Sequence, residues 1–363
     1  MRLLAMLSCI CLLISCTKPL TLCSQYEMHQ ADKRYAMGVS AQYAGVLQEY
    51  LIQAGGCNFP DVPAAKGGSK VFYDHIYAAS LPLDGSDWIE IGKLPFAAAY
   101  GVTVAYNTAL YLIGGLSPNG ALKCVLRLTM HNGKAVVERL HDLPYPMDNM
   151  TGAVIGDKLY LIGGNVEGKP SHAVWCGDLS HQQMHFERLE DVPGEARLQG
   201  VCTGIANNLC LFSGYCPPFE GKDGFIHEQG YCFDVQKKTW STILAPKDES
   251  GKIVSLSGGC AVAVDQSHIL CVGGVNRDVF PIGLNGIEEG ETWLSHPVEW
   301  YKFNRQVLLY DMNKKQWQIL GELEGTARAG GALVKYKDLY YMMQGEIMPG
   351  IRTPKITEFT FKP

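Results

Sequence analysis

The stretch Leu110-Tyr111-Leu112-Ile113-Gly114-Gly115 decides the fold, because the same six letters, LYLIGG, return at Leu159–Gly164. The two glycine pairs lie 163 − 114 = 49 residues apart. Other apolar runs end in glycine as well: YLIQAGG at Gly56, LCLFSG at Gly214, ILCVGG at Gly274 and LYYMMQG at Gly345. A recurring run of this kind is typical of a repeat protein, in which each repeat forms one small structural unit.

Each repeat has the pattern of four short strands. A first strand is predicted to start at a glycine ahead of each apolar run, at Gly38, Gly101, Gly152, Gly200, Gly259 and Gly331. Two more strands follow the run, and an aromatic residue in the last one is predicted to wedge between units, as at Trp88, Phe186, Trp240 and Trp317. Four short strands with glycine-rich turns predict a four-stranded antiparallel blade. The period resembles that of the kelch motif, roughly 50 residues, so the sequence predicts an all-β, six-bladed kelch-type β-propeller.

The two ends of the chain are predicted to meet in one blade. The last segment, Lys355 to Phe361, has the pattern of only the third strand of the sixth blade. We expect the fourth strand to come from the N-terminal region, around Gln25 to Gln30, because pairing the two ends removes a free sheet edge. A single propeller domain would then cover residues 24–363.

The N-terminus is typical of an export signal, which we place at residues 1–23. Arg2 supplies a positive charge, and Leu3 to Ile14 is an apolar run too short to span a bilayer. The letters LISC ending at Cys16 resemble a bacterial lipobox, which would make Cys16 a lipidated first residue. The alternative is ordinary cleavage nearby, before Cys23 or Ser24. We therefore expect an exported protein, periplasmic or lipid-anchored to a bacterial envelope membrane, with no later transmembrane segment.

The amino-acid composition indicates a globular protein and gives no support for nucleic-acid binding. The chain is 47% hydrophobic and 18% charged, with a net charge of −5, which is a globular composition. No Lys/Arg-rich run is present, so nucleic-acid binding has no support. Thirteen cysteines include no CxxC pair, and several lie within apolar strands. We expect mostly free, buried thiols, with Cys202, Cys216 and Cys232 as candidates for one bridge.

Three loops depart from the repeat pattern. One contains Asn58 in GGCNFPD, and one contains Asn276 in GGVNRDVF, followed by a long insertion. The third is QGEIMPGIRT, in which Glu346 follows a glycine and Arg352 comes six residues later, past a Pro-Gly turn. Because all three follow the same strand of their repeats, we expect them on one rim of the ring beside the central channel. Loops on one rim of a rigid scaffold are where functional sites are usually built.

These loops together resemble the bacterial N-acetylneuraminate mutarotases (epimerases). The pattern of that family is Asn-Gly-Glu, a lysine before Pro-Gly, then Leu-Arg-Thr, and this chain keeps Gly345, Glu346, Pro349-Gly350 and Arg352-Thr353. It departs from the pattern with Gln344 in place of Asn and with Met348 in place of Lys. Ordinary members carry the glutamate blade mid-chain, whereas here it is the last blade. The chain therefore resembles the cyclically permuted branch of the family.

The resemblance implies a reaction and a set of residues. Glu346 would accept the proton of the anomeric hydroxyl of sialic acid, and Arg352 would bind the substrate carboxylate. The sugar ring would open to the keto form and close on its other face, which requires proton transfers but no metal and no cofactor.

Further contacts to the sugar are predicted with less direct support. For the proton donor to the ring oxygen, the candidates are Tyr301, Asn304 and His296 in the insertion. Asn58, Asn276 and Arg197 are candidate substrate-binding residues. The competing interpretation of the two asparagines is a turn side chain that bonds its own backbone, and that of Arg197 is a surface ion pair.

Two other classes of function remain open at this stage, because a fold by itself does not define a function. One is a non-catalytic glycan-binding propeller in an exported sugar-uptake system. The other is a plain protein-interaction domain. A sialidase is a weaker alternative, because the Asp-box repeats of that class are absent from the sequence.

Overall fold

The computed structural model describes residues 20–28, 32–181 and 184–361, and these residues fold mainly into short β-strands. The all-β class predicted from the sequence is confirmed. Among the described residues, no helix has the length and apolar character needed to cross a membrane.

The described residues form six four-stranded sheets, each antiparallel throughout. We number them by the chain order of their first strands. The first sheet has Tyr43–Leu47, Tyr50–Ala54, His75–Ser80 and Ile89–Lys93; the second has Val102–Tyr106, Ala109–Ile113, Val125–His131 and Lys134–Arg139; the third has Thr151–Ile155, Lys158–Ile162, Val174–Asp178 and Phe186–Arg188. The fourth has Val201–Ile205, Asn208–Phe212, Gly230–Asp234 and Thr239–Ile243; the fifth has Cys260–Ala263, His268–Val272, Gln306–Asp311 and Gln316–Glu322; the sixth has Ala332–Tyr336, Leu339–Met343, Lys355–Phe361 and Leu20–Glu27.

Small elements connect the strands at one end of the sheets. Two-residue and three-residue strands pair there as Cys57–Asn58 with Val71–Phe72, Leu116–Ser117 with Gly120–Ala121, Asn165–Val166 with Met147–Asp148 and Lys169–Pro170, Tyr215–Cys216 with Phe225–Ile226, and Glu346–Met348 with Ile351–Arg352. The short helices are Phe280–Leu284 and Gly290–Leu294, with 3₁₀ turns at Tyr35–Met37, Ala64–Lys66, Val298–Tyr301 and Glu324–Thr326. Both α-helices lie in the long insertion of the fifth repeat.

The N-terminal strand pairs with the C-terminal strand, as predicted, but its limits differ from those expected. It covers Leu20–Glu27, and Leu20 lies opposite Phe361 at the end of the ladder. The sequence pattern predicts Gln25 to Gln30 instead. The strand begins earlier because the partner strand continues to Phe361, and because Leu20 buries its side chain in the core beside it. Residues 29–31 lie outside the described part of the chain.

The hydrophobic core is divided among the interfaces between successive sheets. Separate clusters of buried side chains lie between the first and second sheets, the second and third, and so on, and one joins the sixth sheet to the first. The predicted aromatic wedges lie in these interfaces. The Trp317 indole N–H, for example, donates to the carbonyl of Leu244 of the preceding repeat at 2.8 Å. Each sheet is thus held by apolar contact with its neighbours on both sides.

A cycle of backbone hydrogen bonds links the innermost ends of the sheets. Each sheet contributes one residue of positive φ, just before its first strand. The N–H of each such residue donates to the carbonyl of the equivalent residue one sheet earlier, at 2.6 to 2.9 Å, and the first donates to the last. We call this set the backbone ring; its members are Ala41, Tyr100, Asn149, Gln199, Gly258 and Gly330.

The prediction of a strand starting at Gly38 is wrong. The 3₁₀ turn Tyr35–Met37 precedes Gly38, and the first strand of that sheet begins only at Tyr43. Gly38 has φ +89, and a Cβ there would lie 2.3 Å from the backbone of Thr353. This glycine therefore serves a close approach to the loop of the sixth repeat rather than the start of a strand.

The cysteines of the described part of the chain are all free, and most are buried. All three candidates for a bridge, Cys202, Cys216 and Cys232, are free thiols. Cys232 instead lies opposite Cys210 on the neighbouring strand, with the two sulfurs 3.8 Å apart. Burial raises the pKa of the Cys202 thiol, so this thiol stays protonated and packs as an apolar group.

Candidate active site

A two-stranded hairpin in the sixth repeat places Glu346 and Arg352 directly opposite each other. Opposite residues of an antiparallel pair project from the same face, so the spacing of six residues around Pro349-Gly350 brings the two side chains together. Pro followed by Gly suits a tight turn, and Gly350 has the positive φ (+83) that such a turn requires. The sequence pattern and the local geometry therefore agree.

Gly345 fixes the position of the glutamate. Its φ is +98, and a Cβ there would lie 2.8 Å from Gly331. The backbone of Glu346 then pairs with Ala329 through two hydrogen bonds, of 2.7 and 2.9 Å. Only a glycine fits this close approach, which explains why it precedes the carboxylate.

Arg352 is buried and only partly satisfied. Its side chain is 3% exposed, and one guanidinium nitrogen, Nη2, lies 2.6 Å from Oε1 of Glu346. Its Nε donates to the Ser40 hydroxyl at 3.1 Å, and the guanidinium lies 4.8 Å from the centre of the Phe59 ring. Burial alone would lower the pKa of Arg352, but the charge of Glu346 and the nearby Cys57 raise it above its usual value. The other terminal nitrogen, Nη1, is buried without a hydrogen-bond partner in the structure.

The unpartnered Nη1 is a place for an acceptor. A buried N–H group that bonds to nothing costs about 1–3 kcal/mol, more when it carries charge, so such a group suggests a missing anionic partner. Glu346, by contrast, keeps 26% of its side chain exposed. The pair thus offers one accessible carboxylate and one positively charged donor side by side.

Sequence reasoning missed a second group of residues beside this pair. The Tyr100 hydroxyl accepts a hydrogen bond from Lys70 Nζ at 2.8 Å and lies 3.5 Å from the Cys57 sulfur. Lys70 Nζ also lies 4.8 Å from the Tyr100 ring centre and 5.9 Å from that of Phe59, the ring that contacts Arg352. Burial, then Cys57 and Glu346, raise the pKa of Tyr100 well above its usual value. The phenol is therefore protonated at neutral pH.

A polar arc lies farther around the backbone ring. Asn149 and Asn165 both donate to one oxygen of Asp148, at 2.6 and 2.8 Å, and Gln199 donates to Asn149 at 2.8 Å. Asn165 and Glu346 take equivalent places in their repeats, because each is the first residue after the glycine-terminated strand and bridges to the residue before the backbone ring. The sequence contains a signal for this equivalence, because Asn165 and Glu346 each follow the glycine that ends an apolar run.

The Asn58 side chain stabilises the fold through buried hydrogen bonds. Its side chain is 2% exposed. Its amide nitrogen donates to the carbonyls of Arg34 and Gly38, and its oxygen accepts from the Tyr73 hydroxyl, all within 2.9 Å. The contact to Arg352 comes instead from its neighbour, Phe59.

Arg197 lies in a different place from Arg352. It is 3% exposed, so it is not the surface residue of the competing interpretation. Its Nη1 donates to the backbone carbonyls of Ser213 and Gln229, which ties together two strands of the fourth repeat. Burial lowers the pKa of Arg197 to about 10. It lines a cavity of about 630 Å³ that also contains His227 and Arg277.

Asn276 and Asn304 line the same cavity as Arg352, with a volume of about 740 Å³. Both also bond locally: Asn276 accepts from the N–H groups of Asp278 and Val279, and Asn304 donates to the carbonyl of Gly273. The structure thus brings these two asparagines to the cavity of Arg352, while their hydrogen bonds match the turn interpretation.

Tyr301 and His296, the two aromatic candidates from the insertion, both make contacts within the insertion itself. The Tyr301 hydroxyl donates to the carbonyl of Trp293, and the residue is 1% exposed. His296 stacks on Trp300 at 3.8 Å and pairs with Glu288 at 2.7 Å. Neither side chain is among those lining the cavity of Arg352, and the same is true of Glu346 and Tyr100.

The two departures from the family pattern have different surroundings. Gln344 is 0% exposed; its oxygen accepts from the Val39 N–H at 3.0 Å and from Gln53 at 2.9 Å. Its longer side chain thus fastens the sixth repeat to the first instead of facing the loop. Met348 is 8% exposed, on the same short strand as Glu346.

The sheets and the site define an all-β repeat protein with a carboxylate–guanidinium pair at one end of its last sheet. A kelch domain-containing protein of Vibrio cholerae serotype O1 is 24% identical to this chain over 238 residues, which are 61% of this chain and 64% of that protein.

The family can be stated more closely. The family model of N-acetylneuraminate epimerase matches residues 140–363, and the chain belongs to this family. N-acetylneuraminate epimerases of Salmonella enteritidis PT4 and Salmonella typhi are each 27% identical over 226 residues, which are 60% of this chain and 57% of either relative. The match therefore spans less than two thirds of these relatives.

Proposed function

We propose that this protein is a sialic acid mutarotase that interconverts the α and β anomers of N-acetylneuraminate. The observation that carries the proposal is the pair at the tip of the sixth repeat, an accessible Glu346 beside a buried Arg352 with one unpartnered nitrogen. The family supports the same substrate, since its relatives are named for N-acetylneuraminate.

The chemistry suits these two groups. Sialic acid carries a carboxylate on its anomeric carbon, and a guanidinium is a good partner for a carboxylate. Bound at Arg352, the substrate places its anomeric hydroxyl next to Glu346, which removes the hydroxyl proton. The bond from the anomeric carbon to the ring oxygen breaks, the keto form rotates, and closure on the other face returns the proton. General acid–base assistance of this kind typically contributes about 10²–10⁴-fold.

The binding of the substrate carboxylate also frees the base. In the ligand-free protein Arg352 Nη2 bonds to Glu346. A substrate carboxylate competes for the same guanidinium, so its arrival weakens the hold of Arg352 on Glu346. Substrate binding and activation of the base are therefore linked at one side chain.

We also propose that the six sheets are the blades of a closed propeller. The cyclic order of the backbone ring and the hydrophobic cluster between the sixth and first sheets support this. The partial match to the relatives supports a cyclic permutation, because a linear comparison of permuted chains aligns only one of the two exchanged segments. In a closed ring the ends can be relocated without changing the site.

Export of the protein belongs to the proposal as well. The signal at residues 1–23, with Cys16 as a lipidated residue or with cleavage near Cys23, lies mostly outside the described residues. Sialic acid released from glycans outside the cell would then meet the enzyme in the periplasm or at the envelope membrane.

The test is proton NMR of α-N-acetylneuraminate freshly released by a sialidase. The wild-type protein is expected to speed equilibration to the β anomer beyond the spontaneous rate, and Glu346→Gln is expected to remove the acceleration. A matched control is Glu138→Gln, because Glu138 also lies opposite an arginine on a neighbouring strand, with Arg127 at 3.3 Å, but far out on the second sheet.

The outcomes separate the alternatives. Sugar binding without acceleration by the wild type would favour a glycan-binding propeller instead. An absence of sugar binding would favour a protein-interaction domain. Equal loss in both glutamate variants would show a general effect of removing an ion pair and would contradict the assigned role of Glu346.

A further inference from the structure

Tyr100 has a backbone conformation that is unusual for a bulky side chain. Its φ is +61, in the left-handed region that non-glycine residues seldom adopt. Holding such a residue there costs on the order of 1–3 kcal/mol, and the equivalent residue of every other sheet shares this positive φ. Two of the other five members of the backbone ring are glycines, and none of the rest is aromatic. The ring thus keeps a strained phenol at one position only.

Two sets of groups act on the Tyr100 phenol. On one side Lys70 donates to its oxygen at 2.8 Å. On the other side lie Cys57, at 3.5 Å, and the Glu346–Arg352 pair, whose charges act on the phenol. Phe59 contacts both cations, with Lys70 Nζ at 5.9 Å and Arg352 at 4.8 Å from its ring centre. Lys70, Tyr100 and the pair therefore form one connected cluster.

We propose that Tyr100 and Lys70 form the proton relay that serves the ring oxygen of the sugar, an inference that rests on the proposed mutarotase function. As Glu346 takes the proton of the anomeric hydroxyl, Tyr100 gives its proton to the ring oxygen. The bond between the anomeric carbon and that oxygen breaks, and a carbonyl forms. Tyr100 takes a proton from the Lys70 ammonium at the same time. Ring closure runs the same transfers backwards, so protons and charge balance over a turnover.

The relay explains why two residues are needed. Burial raises the pKa of Tyr100, so a phenolate left behind in this site would be costly. A lysine that resupplies the proton through the 2.8 Å hydrogen bond avoids that anion. Lys70 is exposed at the surface, so it exchanges protons with solvent readily. Tyr100 thus passes a proton from Lys70 to the ring oxygen, and Lys70 is the source of that proton.

The experiment compares Tyr100→Phe, Lys70→Met and Lys70→Arg in the full protein, with the NMR assay. Tyr100→Phe keeps the ring and removes only the hydroxyl, and we expect kcat to fall about 10²–10⁴-fold with little change in KM. Lys70→Met should lower kcat as well. Lys70→Arg keeps a charged donor but does not release its proton, so it should not restore the rate.

Two controls test for indirect effects. Tyr106→Phe removes a phenol on the first strand of the same sheet, where the hydroxyl bonds to Asp157 at the outside. Lys93→Met removes a lysine that pairs with Asp74 on the first sheet. Both should keep the wild-type rate. Thermal unfolding of each variant checks that the fold is intact.

The results separate this inference from the proposed function. An active wild type with full activity in Tyr100→Phe would overturn the relay and leave Glu346 as the base. Restoration of the rate by Lys70→Arg would show that Lys70 acts by charge alone, which also overturns the relay. A wild type without any acceleration would overturn both the mutarotase and the relay.

Discussion

At the level of single residues, the buried arginines differ in the kind of partner that they bind. Arg197 and Arg328 are 3% and 2% exposed, and both donate mainly to backbone carbonyls of their own repeats. The Arg352 side chain is also buried, but its partners are a carboxylate and a hydroxyl. Arg197 and Arg352 each keep one buried nitrogen without a partner. Burial alone does not distinguish these roles; the kind of partner does.

A second residue-scale feature is the histidine beside Arg197. Burial, and then the charge of Arg197, lower the pKa of His227 from 6.5 to about 4. His227 is therefore neutral in the fold but takes up a proton in the unfolded chain below pH 6.5. Stability due to this group is present above that pH and is lost as the pH falls toward 4.

This predicts a pH-dependent difference between wild type and His227→Gln. Between pH 7 and pH 5 the wild type should lose about 2 kcal/mol of unfolding free energy through this group, and the variant should lack that part of the decline. Urea unfolding at both pH values measures it. His181→Gln, in which the replaced side chain is 72% exposed, is the control and should follow the wild type. Parallel pH profiles for wild type and His227→Gln would contradict the prediction.

Contacts between site residues can be predicted from the sequence when the residues are close along the chain, and cannot when they lie in different repeats. Glu346 and Arg352 meet because of a hairpin that a short motif encodes, so their pairing is predictable. Tyr100 and Lys70 meet across two repeats, and nothing local in either loop indicates the contact. Asn58, Asn276 and Arg197 are polar residues near turns, and their hydrogen bonds to the backbone depend on neighbours that the sequence does not show.

At the scale of elements, the strand Leu20–Glu27 closes the outer edge of the sixth sheet. Leu20 packs beside Phe361 in the core between the fifth and sixth sheets. The strands of the repeats were predictable because their glycines and alternation recur. The start of this N-terminal strand was not, because its length is set by its partner at the other end of the chain.

The strand allows the two proposed sites of signal cleavage to be distinguished by the stability of the resulting chains. A chain that begins at Cys16 keeps the whole strand, whereas a chain that begins at Ser24 loses Leu20 and the pairs of its outer half with residues 359–361. We expect the shorter chain to be less stable by about 2 kcal/mol or more, from the buried leucine alone. Thermal unfolding of the two chains tests this, and the mass of the mature protein shows which of them is made. Equal stability would show that the outer half of the strand contributes nothing.

At the scale of the whole molecule, the ends of the described chain lie next to each other. Leu20 is opposite Phe361 in an antiparallel pair, so a hairpin turn is enough to join them. A two-residue Asn-Gly turn suits this connection. New ends can be opened at the exposed turn between Asn132 and Gly133, where a Cβ on the glycine would meet nothing within 4 Å.

We predict that this permuted chain folds and keeps the activity proposed for the protein. The new ends lie on the outer hairpin of the second sheet, and the site residues are untouched. Circular dichroism, thermal unfolding and the NMR assay report the outcome. A control opened between Glu346 and Ile347, within the hairpin of the candidate site, should fold less well and lose activity. Failure of the first permutant to fold would contradict a closed ring.

The contact of Gln344 with the first repeat joins residues that are synthesised first to residues that are synthesised last. Lys70 and Phe59 are made with the first repeat, whereas Glu346 and Arg352 are made with the last, and Gln344 joins the two regions through Val39 and Gln53. A chain interrupted before residue 344 holds the proposed relay but has no base and no guanidinium for the sugar. A nascent or C-terminally clipped chain that stops before residue 344 is therefore expected to lack the proposed mutarotase activity.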